Sequence, residues 1–197
     1  MKKLKLLLVT AFLSAAIFAQ TDQQVIQATA QTYMNAVKNK DIDKMLDAML
    51  PDVFEMVNRN QLKMSMEQMF NNPNMIIEYL SAKIFDISET VRHKDNKYAR
   101  INYDSSFKML FPSDDGISAE ENKSMLNSMK SVLESQFGKD SIVLNYDESS
   151  VTVNSNSYMY AVSSPKFDGW KFINDDNAMG QLAKNIIPAE VISVLKK

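Results

Sequence analysis

The side chains equipped for chemistry are few in this chain, and their spacing argues against most of the chemistry they could do. His93 is the sole histidine. It stands between Arg92 and Lys94, away from any apolar run, so it is expected in an exposed turn, and a three-histidine metal centre is excluded. Cysteine is absent, which removes a thiol nucleophile, an iron–sulfur cluster, Cys-ligated zinc and a disulfide scaffold. There are only four glycines and no G-x-S-x-G, so neither a nucleophile elbow nor a Gly-rich phosphate loop is available. The acidic clusters Asp114-Asp115-Gly116 and Asn174-Asp175-Asp176-Asn177 lack the alternating carboxylates and twelfth-position glutamate of a calcium loop, and read as solvated loops. Met64-Ser65-Met66-Glu67-Gln68-Met69 has the M-x-M-x-x-M spacing of Cu(I) sites. On a helix, however, Met64 and Met66 point about 200° apart, so these thioethers are expected to pack in the core rather than ligate. No metal, cofactor or catalytic residue is therefore expected.

The chain's 197 residues are 45% hydrophobic, and a formal net charge of -2 leaves no basic stripe of the kind nucleic acid needs. Residues 1–19 read as an export signal. Lys2, Lys3 and Lys5 precede an apolar run from Leu6 to Phe18, and Ala15, Ala16 and Ala19 form a small-residue exit. Cleavage is expected near Ala19/Gln20, with export to the periplasm or the medium. The run falls short of the roughly 20 residues that span a bilayer, and no later segment is apolar enough to do so. The rest, 20–197, reads as one domain, large enough to be held by a packed core alone.

Periodicity places the elements. Ile26, Ala30, Tyr33 and Val37 mark a helix over 25–38, and Asp41 is the N-cap of a second that Pro51 ends. Residues 52–57 read as a short strand, and Leu62, Met66, Met69 and Phe70 as a third helix. The mixed pattern of 75–87 predicts a bulged strand or one buried on both faces. From Ala99 to Phe111, alternation with Arg100, Asn102, Asp104, Ser106 and Lys108 predicts a long strand with one wet face. Ser118 and Glu121 form a capping box for a helix that Gly138 ends. Short strands are expected around Ile142, Val151, Tyr158–Val162 and Trp170–Phe172, and a helical tail follows, restarting at Pro188. The fold class is α+β: N-terminal helices packed on one face of a curved antiparallel sheet, with an inserted helix and a C-terminal helical tail.

The run from Tyr33 to Asp52, with Asp41-Ile42-Asp43 at its centre, resembles the opening of the nuclear transport factor 2-like superfamily, which includes ketosteroid isomerase and polyketide cyclases. The resemblance spans roughly 24–111 and 141–173; the helix over 118–137 and the tail depart from it. It implies a cone in which a bent sheet wraps the first helix around an apolar pocket, with Tyr33, Val57, Tyr103, Phe107 and Tyr160 as pocket candidates. In the isomerases a first-helix tyrosine donates to the developing oxyanion, and an aspartate about two dozen residues later is the base. The tyrosine matches Tyr33, but the base falls on Val57, and neither valine nor its neighbours Met56 and Asn58 can move a proton. The expectation is an exported non-catalytic domain binding an apolar small molecule or a protein partner, an envelope protein or a second copy. The alternative is an isomerase, dehydratase or cyclase using another acid from the same cavity. Asp104, Asp147 and Glu148 lie in or beside strands, although alternation puts Asp104 on the wet face. A cone filled by its own side chains would leave a structural or dimer-forming module.

Overall fold

The computed structural model describes residues 21–112, 118–175 and 179–196. The expected leader, the Asp114–Gly116 cluster and part of the 174–177 cluster lie outside them. The first helix, α1 (Asp22–Lys38), opens with a capping box in which Thr21 accepts from the Gln24 N–H and Gln24 returns to the Thr21 N–H. Asp41 caps α2 (Ile42–Ala48), accepting from the Lys44 N–H at 3.2 Å. Residues Pro51–Glu55 form a 3-10 turn, not the expected strand. Pro51 fixes a helical φ at the first position, and the Val53 N–H bonds back to Leu50 O at 3.0 Å. Then come α3 (Arg59–Phe70), β1 (Ile76–Ile87), β2 (Val91–His93), β3 (Asn96–Leu110), α4 (Ala119–Phe137), β4 (Ile142–Asn145), β5 (Ser150–Ser163), β6 (Trp170–Asn174), α5 (Gly180–Ile186) and α6 (Ala189–Leu195).

The sheet is antiparallel, curved and open, in the order β1-β3-β5-β4, with β2 added to β3 and β6 to β5. Its spine is the β3–β5 pair, in continuous register from Lys97↔Ser163 to Leu110↔Ser150. Sequence alternation splits β5 in two because Asn154, Ser155, Asn156 and Ser157 are polar, yet the strand is unbroken. These residues face either water or a narrow strip of serines, where Ser105 and Ser155 meet at 2.9 Å and Ser157 donates to Ser155 at 3.2 Å. β1 is bulged at Leu80 and again at Phe85, which accounts for its mixed pattern. The outer edge of β6 is closed by the chain after α2: the Leu50 N–H donates to Phe172 O at 2.8 Å, and Met49 bridges Phe172 in parallel.

One face of the sheet carries two helices. α1 covers Ala99, Ile101, Met159, Ala161 and Phe172 with Ile26, Ala30 and Met34, and α4 covers Met109, Val151 and Val153 with Leu126. The helices are not confined to that face. Tyr98, Tyr160, Val162 and Ile173 point the other way, and α5 and α6 close over them with Ala183, Ile187, Val191 and Leu195. Four large apolar side chains at one end of the second face require a cover, each worth roughly 1.5–3 kcal/mol when fully buried. Further along that face Asn102, Asp104, Ser106 and Lys108 stay polar and uncovered, and Asp104 accepts from Asn156 at 3.1 Å, on the wet face that alternation assigned to it.

α3 departs from expectation. None of its residues is fully buried; Met66 is half-buried, whereas Met69 is 40% and Met64 58% exposed, so these methionines do not build the core.

Candidate functional site

Where the cone's pocket would lie, the inner face between α1 and the β1–β3 strands holds a cavity of about 30 Å³. Tyr33, Met34 and Val37 reach it from α1, Tyr79 and Ala82 from β1, Tyr103 and Ser105 from β3, and Asn174 from β6. That is room for a water or two and not for an organic ligand. Tyr33 is fixed at its rim by stacking on Phe172, with ring centroids 5.7 Å apart. The Asn174 Oδ1 is buried and accepts no hydrogen bond among the described residues, in a lining whose other members are aromatic or apolar except for Ser105. No carboxylate is among the described residues that line the cavity.

The five pocket candidates are thus divided. Tyr33 and Tyr103 share this cavity. Phe107 lies on the same face of the sheet, wedged between Tyr79 at 6.2 Å and Phe137 at 6.1 Å. Val57 lies behind the 3-10 turn, its N–H bonded to Val53 O at 2.9 Å, and is not part of the cavity wall. Tyr160 is fully buried on the opposite face, under α5 and α6. Val57 and Tyr160 leave the set for one reason: the resemblance fixes position along the chain, whereas strand parity and the 3-10 turn fix direction.

Tyr160 instead belongs to a polar cluster that sequence inspection missed. Its phenol donates to Asp175 Oδ2 at 3.2 Å, and Tyr158 is hydrogen-bonded to the same carboxylate. The two rings meet edge to face at 5.9 Å, and the Arg100 guanidinium lies 4.0 Å over the Tyr158 ring. The Arg100 Nε is buried without a hydrogen-bond partner among the described residues. Burial, followed by the bond to Asp175, pushes the Tyr158 phenol up to about 12. Burial, then the Asp175 charge, pushes Tyr160 higher still. Both phenols therefore stay protonated and act as donors, and a carboxylate already holding two donors is poorly placed to abstract a proton. The legible signal was Tyr-x-Tyr on one strand face with Arg100 directly across from Tyr160 in the register.

His93 ends β2 rather than standing in a free turn. Its Nε2 lies 3.6 Å from Glu190 Oε1, where α6 packs beside β2. Among the described residues no group of three His, Asp or Glu side chains is placed to hold a metal. No described helix is long and apolar enough to cross a membrane. No protein-family model, curated protein or solved structure matches the chain.

Proposed function

We propose that this chain is an exported, non-catalytic domain of the nuclear transport factor 2-like type, and that it works by binding a protein rather than by enclosing a small molecule. The observation that carries the reading is the cavity beside Tyr33: about 30 Å³, with no acid among its described lining residues. Sites for small organic ligands are roughly 300–1,000 Å³. An isomerase-type reaction also needs a general base within hydrogen-bond reach of the carbon acid, and no Asp, Glu, His or Lys is among the described residues lining the cavity. Export is supported by the Lys-rich, apolar and small-residue succession of residues 1–19.

The test is native mass spectrometry with lipid extraction on protein purified from its own host, alongside titration with an apolar fluorescent dye. The expected result is a mature chain starting at Gln20, with no small molecule retained and no saturable dye binding. A co-purifying apolar compound whose retention is lost in Tyr103→Ala would overturn the protein-binding reading in favour of a ligand pocket that opens. Turnover of an enolisable ketone that is abolished by Tyr33→Phe would restore the enzyme.

A further inference from the structure

Among the described residues the outer edge of β1 is free: the strand ends the sheet and pairs only with β3. The edge is capped at one end, where the Gln23 side chain donates to Ile87 O at 3.2 Å. The stretch before that cap carries three of the exposed large apolar side chains, Ile76 at 42%, Leu80 at 47% and Phe85 at 50%. A free strand edge with apolar side chains is a template for another strand unless charge or distortion blocks it. β1 has both a lysine and bulges, so what matters is where they put the charges.

Residues five apart on a regular strand face opposite sides of the sheet. The bulge at Leu80 changes that. Glu78 pairs with Lys108 of β3 and Lys83 with Asp104, so both acid and base lie on the outer, wet face. By the same shift Ile77 and Ile84, opposite Met109 and Tyr103, share the inner face, as do Tyr79 and Ala82, opposite Phe107 and Ser105. A two-fold axis through the bulge, between Leu80 and Ser81, then sets Glu78 against Lys83 of a second copy, twice over. It also sets Ile77 against Ile84 and Tyr79 against Ala82, each on a common face. The strand is self-complementary only because it is bulged. Lys83 makes no ion pair among the described residues, and Glu78 meets only Lys108, at 3.4 Å, so a facing charge is available to both.

We infer that β1 is a homodimer edge: two copies join antiparallel along residues 76–85, making one continuous sheet across the two-fold axis. This goes beyond the proposed function, since it holds whether or not a different protein is also bound. A junction of one strand per copy is at the small end of specific interfaces, which sets the expected dissociation constant in the micromolar range.

The experiment is sedimentation equilibrium of the exported chain over a concentration series, with unfolding curves to show that each variant is folded. Lys83→Glu faces like charges at both symmetric positions and is expected to weaken dimerisation about tenfold. Glu78→Lys should act similarly, although it also gives up the contact with Lys108. The swap Glu78→Lys/Lys83→Glu is expected to restore the wild-type constant to within about threefold, which a merely structural role for either residue would not do. The chain has no native cysteine, so Ser81→Cys gives an unambiguous second readout: a disulfide-linked dimer under mild oxidation, with Ser128→Cys on the exposed side of α4 remaining monomeric. A wild-type monomer throughout the series, or a double variant no better than the singles, would overturn the inference and leave binding to a different protein untouched.

Discussion

Asp175 shows how one carboxylate can organise the end of the molecule where the tail begins. It takes hydrogen bonds from Tyr158 and Tyr160, and its Oδ1 sits 2.8 Å from where a Cβ on Gly180 would be, so a side chain at the first residue of α5 would have to displace this carboxylate. The phenols are held protonated in the fold, Tyr158 up to about 12 and Tyr160 further, against about 10 in an unfolded chain. The native state then binds protons more tightly than the unfolded one, so this contribution is complete below pH 10 and is lost as pH rises through 10 towards 12. Urea unfolding at pH 9 and pH 11 is expected to show a loss of stability that is smaller in the Tyr158→Phe/Tyr160→Phe variant. At pH 7 each single Tyr→Phe change should cost about 1.5–3 kcal/mol, the worth of a hydrogen bond to a charged acceptor. Only the Tyr158-x-Tyr160 spacing was legible in the sequence; Asp175 reads there as one acid in a solvated run. What ties it to the tyrosines is the β5–β6 register, which no local spacing reports.

Among the elements, those defined by local rules were the legible ones. The caps at Asp41 and Ser118, the alternation of β3 and the stop at Gly138 each follow from a few neighbouring residues, and all appear as expected. The bulges of β1 were legible too, as a pattern that fits neither face. The errors arose where a residue's role depends on distant packing. β5 runs through a polar stretch because β3 pairs with it throughout, and α3 leaves Met64 and Met69 exposed because it packs mainly on the short α2. α4 leans on its own ends. It is 19 residues long and buries only Leu126 completely, while Ser118 accepts from the Glu121 N–H at 3.2 Å. Ser118→Ala is therefore expected to cost about 1 kcal/mol, read from urea midpoints at unchanged slope.

The molecule as a whole is a sheet closed on both faces at one end and on a single face at the other. The second cover is the tail, and the residues beneath it, Tyr98, Tyr160, Val162 and Ile173, are core residues only while the tail stays in place. Removing 180–197 would expose side chains worth together roughly 6–12 kcal/mol of burial, on the scale of the whole net stability of a domain. The truncated chain is expected to lose cooperative unfolding and to bind an apolar dye strongly, with circular dichroism and dye fluorescence as the readouts. The small cavity beside Tyr33 is also a property of the whole. Its lining comes from four elements spread between Tyr33 and Asn174, and its volume is whatever their packing leaves.

The spine of the sheet has one more consequence, and it concerns time. β3 and β5 meet from Leu110↔Ser150 outward to Lys97↔Ser163, so every rung of that ladder joins residues far apart along the chain, and α4 is threaded through the closing loop. Rungs of this kind reward the chain only after the entropy of loop closure has been spent, which places refolding in the millisecond-to-second range typical of non-local strand pairing, not the microseconds of a helical bundle. During that interval the apolar flanks of both strands are without partners, and a nascent chain would be most vulnerable to aggregation then.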